Sequence, residues 1–72
     1  MEKKSLEVLL DLAGRLGKRM AMLDPIYHEG FWAALDVLVR SLEATPEERE
    51  EFFSALGAAY MERRDRRYTS GQ

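Results

Sequence analysis

The chain contains no cysteine and no asparagine, a single glutamine, a single histidine, a single tryptophan and only two prolines. Without cysteine there is no disulfide to reinforce a chain of 72 residues, and the thiolates of the common structural zinc sites are missing as well. Strand signals are almost as scarce, with one isoleucine, two threonines, three valines and no sustained apolar–polar alternation. Apolar runs extend for only a few residues, far short of the roughly 20 that span a bilayer. Glu2, Glu7 and Asp11 interrupt the apolar core that a secretory leader would need, so a cytoplasmic location is expected. The net charge of −2 excludes both a polyanion mimic and a general DNA-binding surface. Depletion of Asn, Gln and Cys fits a thermophilic source, whereas eight arginines against three lysines fit a GC-rich bacterial or phage genome.

What is present is helical periodicity. Leu6, Leu9, Leu10, Ala13, Leu16, Gly17 and Met20 recur at helix spacing, and Leu12 and Leu23 widen that stripe. The spacing predicts a first helix over about 5–23, with Ser5 as its N-cap. Gly17 on the apolar stripe predicts a point where another helix comes close. Asp24-Pro25 ends this helix and opens a second, over about 25–42, with Asp24 as N-cap and Pro25 in the first turn. Its apolar positions are Tyr27, Phe31, Trp32, Leu35, Leu38, Val39 and Leu42, with Glu29, Ala33, Asp36 and Arg40 on the wet side. The third helix has the clearest start: Thr45 as N-cap, Pro46 in the first helical position and Glu48 completing a capping box. Phe52, Phe53, Leu56, Ala59 and Tyr60 form its apolar stripe. It should run over about 46–67, roughly 33 Å, and overhang the shorter second helix by a turn or two. The expected fold is an all-α three-helix bundle: one domain over 1–68 and a disordered tail over 69–72.

No catalytic constellation emerges. His28-Glu29 resembles the first half of the zinc-protease pattern, but Trp32 occupies the place of the second histidine. No serine lies in a Gly-x-Ser-x-Gly setting, and a single histidine leaves little from which to assemble a base–nucleophile set. No enzyme activity, metal or cofactor is therefore expected. Trp32 reads instead as a largely buried aromatic anchor near a helix start, with His28 at the edge of the same apolar face.

Two features point to partners. The apolar arcs of the first two helices exceed what a three-helix core consumes, and a chain this short buries only about 60% of its surface alone. Tyr27, Phe31, Trp32, Leu12 and Leu23 are the expected interface residues of a symmetric homodimer or of a contact with another protein. The second feature is Arg63, Arg64, Arg66 and Arg67 with Tyr68 at the end of the third helix. Cations at a helix C-terminus complement its dipole, which alone explains them. Exposed on an overhang, they would also suit phosphates or an acidic partner patch. The acidic turn before the third helix is too long for the tight turn of a helix-turn-helix DNA reader. The sequence thus suggests a non-catalytic interaction or regulatory module, with a small nucleic-acid-associated regulator as the alternative and an accessory enzyme subunit behind both.

Overall fold

The computed structural model describes residues 2–70, with side chains described over 2–65. Every element in it is helical: α1 (Lys3–Met22), a 3-10 turn (Pro25–Tyr27), α2 (His28–Ser41) and α3 (Pro46–Ser70). Helix α1 starts at Lys3, two residues before Ser5, with Glu2 rather than Ser5 as its N-cap and no side-chain capping bond. The break at Asp24-Pro25 is as the sequence reads it: Asp24 Oδ1 accepts from the Ile26 N–H at 3.1 Å. The first turn after it is 3-10 rather than α, so α2 proper begins at His28. Helix α3 continues to Ser70, past the expected end at 67, and the final residues of the expected tail, 71 and 72, lie outside the described residues.

The capping box at α3 is complete. The Thr45 N–H donates to Glu48 Oε1 at 2.8 Å, and the Glu48 N–H donates to Thr45 Oγ1 at 3.2 Å. The Thr45 backbone bond holds the Glu48 carboxyl below its ordinary pKa of 4.5. Just upstream, α2 terminates on Leu42, followed by Glu43 with φ 60°, the left-handed region that side chains other than glycine disfavour. Arg49 Nη1 donates to the Ala44 carbonyl at 2.9 Å and ties this tight corner to the first turn of α3.

The main packing joins helices that are not adjacent in sequence. Gly17 lies against Leu56 and Ala59, and Met22 lies against Arg63, so α1 and α3 run parallel. A Cβ on Gly17 would fall inside contact distance of the Leu56 carbonyl oxygen and 3.0 Å from Ala59 Cβ. Buried Ala13, Ala21 and Ala59 are likewise small, and small residues let two helix backbones approach closely. Helix α2 is the antiparallel crossover between them and touches α3 much less closely. Its contacts run through large rings: Trp32 stacks on Phe53 (centroids 4.7 Å apart) and His28 meets Tyr60 edge-on at 5.4 Å. Rings of that size hold the two helix axes apart.

The core is formed by Leu9, Ala13 and Met20 of α1, Leu35 and Val39 of α2, and Ala44, Phe52 and Leu56 around α3. No buried side-chain nitrogen or oxygen among the described residues lacks a hydrogen-bond partner. The molecule measures 43 × 23 × 15 Å, its long axis set by α3, about 37 Å at 1.5 Å per residue. The radius of gyration is 12.9 Å, against about 11 Å for a closely packed chain of this length. The projecting end of α3 and the lateral placement of α2 account for the difference.

Candidate interaction surface

Helix α2 divides into three strips. Leu35 and Val39 are buried, flanked by half-buried His28 and Phe31. The charged residues, Glu29, Asp36 and Arg40, all fall on one flank, where Arg40 Nε pairs with Asp36 at 3.0 Å. The remaining strip carries Tyr27, Gly30, Ala33, Ala34, Val37, Leu38 and Ser41, each exposed and none charged. Tyr27, Val37 and Leu38 are 63%, 64% and 52% exposed, and Ile26, in the turn just before them, is 78% exposed.

Shallow apolar depressions lie at both ends of α2. At its N-terminal end Leu23, Ile26, Tyr27, Gly30 and Phe31 line one. At its C-terminal end Leu42 meets Ser5, Val8, Leu9 and Leu12 of α1 in another. Both exist because α2 runs antiparallel beside α1 without closing tightly onto it, which leaves side chains on facing flanks with nothing between them.

Of the expected interface residues, Tyr27, Phe31 and Leu23 come together in the first depression and Leu12 lines the second. Trp32 is not with them. It lies on the α3 side of α2, over Phe53, and is 40% exposed rather than largely buried. Phe53 stacks on one face of the ring, and this contact leaves the residue partly in water. Leu38 and Leu42, read from the sequence as part of the buried face, are also half exposed. The sequence reading missed Val8, Ile26, Gly30, Ala33, Ala34 and Val37. The available signal was the confinement of all α2 charges to one flank, which leaves a second uncharged arc beside the core stripe.

His28 has a structural partner that sequence spacing does not show. Its Nε2–H donates to the Leu23 carbonyl at 3.1 Å, fastening the last turn of α1 to the first turn of α2. Among the described residues no group of three or more His, Cys, Asp or Glu side chains is placed to hold a metal ion, and no helix is long and apolar enough to cross a membrane.

At the far end, Arg63 and Arg64 are exposed, and Arg63 Nη2 donates to Met22 Sδ at 3.9 Å, a long contact at the end of α1. Beyond that level seven residues of α3 project, about 10 Å of helix. The side chains of Arg66, Arg67 and Tyr68 lie outside the described residues. No family model, no curated protein and no solved structure matches the chain.

Proposed function

We propose that this protein is a small interaction or regulatory module without chemistry of its own, which works through an apolar helical face and self-associates as a homodimer. The observation that carries the reading is the series of exposed large apolar side chains from Ile26 and Tyr27 along α2 to Leu42, which meets Val8 and Leu12 of α1. Monomeric proteins seldom leave contiguous apolar patches above a few hundred Å² in water. Seven large side chains here, Val8, Leu12, Ile26, Tyr27, Val37, Leu38 and Leu42, are each 44–78% exposed. Sedimentation equilibrium at micromolar concentration should give about twice the 8.3 kDa chain mass. A protein that stays at the monomer mass up to millimolar concentration would remove the self-association reading.

A second reading, a nucleic-acid-associated regulator, draws on the free end of α3 with exposed Arg63 and Arg64. Fluorescence anisotropy with a labelled duplex separates the two. Phosphate contacts weaken steeply as salt rises, whereas apolar association does not.

A further inference from the structure

We propose that a second copy of this chain covers the uncharged strip of α2, the two α2 helices pairing antiparallel about a two-fold axis at Ala34. This rests on the self-association reading above and adds the surface, the polarity and the register.

The spacing of the strip comes first. Tyr27, Gly30, Ala34, Val37 and Ser41 follow one another at intervals of three, four, three and four, the pattern of a helix–helix seam. A stable monomer needs one such seam on α2, and Leu35 and Val39 already supply it. Gly30 is not required by packing within the chain, since a Cβ there would meet nothing within 4 Å. In the first turn of α2, it leaves a gap on the outer face that suits a close neighbour.

The strip is complementary to itself. With the axis at Ala34, antiparallel pairing sets Tyr27 opposite the second copy's Ser41 and Gly30 opposite its Leu38, so large residues meet small ones. Ile26 precedes Ala34 by eight positions and Leu42 follows it by eight. The most exposed of the large apolar side chains, Ile26, is thereby carried towards the depression between Val8, Leu12 and Leu42 of the second copy, and the contact occurs twice. An isologous interface has this form, each knob meeting its own complementary hollow.

Charge complementarity favours the same polarity. Glu29 stands in the first turn of α2 and Arg40 in its last, on the same flank. A two-fold antiparallel pair sets the charged flanks of the two copies on the same side of the seam with Glu29 level with the second copy's Arg40, whereas a parallel two-fold pair puts them on opposite sides of the seam with no such match.

The test is charge placed on the axis. Ala34 is exposed, so Ala34→Glu and Ala34→Arg should both keep the wild-type helical circular dichroism. Each alone places like charges against each other and should sediment at 8.3 kDa, half the wild-type mass. An equimolar mixture should recover the dimer mass, and Ala58→Glu, on an exposed position of α3, should leave it unchanged. Polarity is read by cysteine: chains carrying Tyr27→Cys and Ser41→Cys should form disulfide-linked dimers only when mixed, because a disulfide requires Cα atoms within about 7 Å. A dimer that survives Ala34→Glu overturns the proposed surface and leaves self-association standing. Crosslinking of either cysteine variant with itself overturns the antiparallel register. A wild-type monomer overturns both this proposal and the self-association on which it rests.

Discussion

Gly17 of α1 packs directly against the Leu56 carbonyl oxygen of α3, at a point where any side chain on α1 would drive the two helices apart. The glycines at 14 and 57 have no such neighbour within 4 Å. One chemical change should therefore have opposite effects. Gly17→Ala should destabilise by about 1–3 kcal/mol, because its new methyl meets rigid backbone. Gly14→Ala and Gly57→Ala should each stabilise by about 0.5–1 kcal/mol through helix propensity. Urea unfolding of the three variants checks the signs, and a neutral Gly17→Ala would refute the close approach.

Glu43 follows the end of α2 with φ 60°, and its carboxylate stands near the negative end of that helix. Both conditions favour glycine. Glu43→Gly should raise stability by about 0.5–1 kcal/mol, the left-handed strain relieved exceeding the added freedom of the unfolded chain. Loss of stability in a thermal melt would show that the Glu43 side chain makes a contribution larger than its strain.

The capping box predicts a pH signature. The Glu48 carboxyl titrates below 4.5 in the folded chain, so its stabilisation is complete above that value and is lost as pH falls through the folded pKa. Glu48→Gln should therefore lower the melting temperature at pH 7 and converge with wild type in acid. Thr45→Ala should cost about 0.5–2 kcal/mol, the usual loss for an N-cap. Parallel melting curves across the pH range for wild type and Glu48→Gln would expose a wrong sign.

Trp32 stacks on Phe53 and is still 40% exposed. Trp32→Ala should cost about 1.5–3 kcal/mol, below the 3–5 kcal/mol of a fully buried aromatic. Unfolding by guanidinium chloride measures it, and a loss near 5 kcal/mol would mean that something covers the exposed part of Trp32 in solution. His28→Ala should also destabilise, since it leaves the Leu23 carbonyl without its donor.

Local chemistry in the sequence determined the number of α-helices, the break at Asp24-Pro25 and the start of α3. Asp24-Pro25 must interrupt a helix because proline restricts the residue before it and lacks a donor N–H. Thr45, Pro46 and Glu48 must start one because their side chains and ring satisfy or remove its orphan backbone groups. These effects act within four residues, so no tertiary contact is needed to read them. The periodic stripes likewise gave Leu9, Ala13, Leu35, Phe52 and Leu56 as core. What periodicity does not carry is which stripe faces which. Both helix neighbours of α2 present apolar flanks, and the pairing of α1 with α3 was decided by how closely backbones can approach. Gly17 and the alanines allow a tight parallel contact there, whereas Trp32, His28 and Phe53 keep α2 at arm's length. Burial on α2 follows from that placement: Leu35 and Val39 are inside, while Tyr27, Val37 and Leu38 are left in water. The exposed strip is therefore a property of packing, because the same residues in a more evenly closed bundle would have been core.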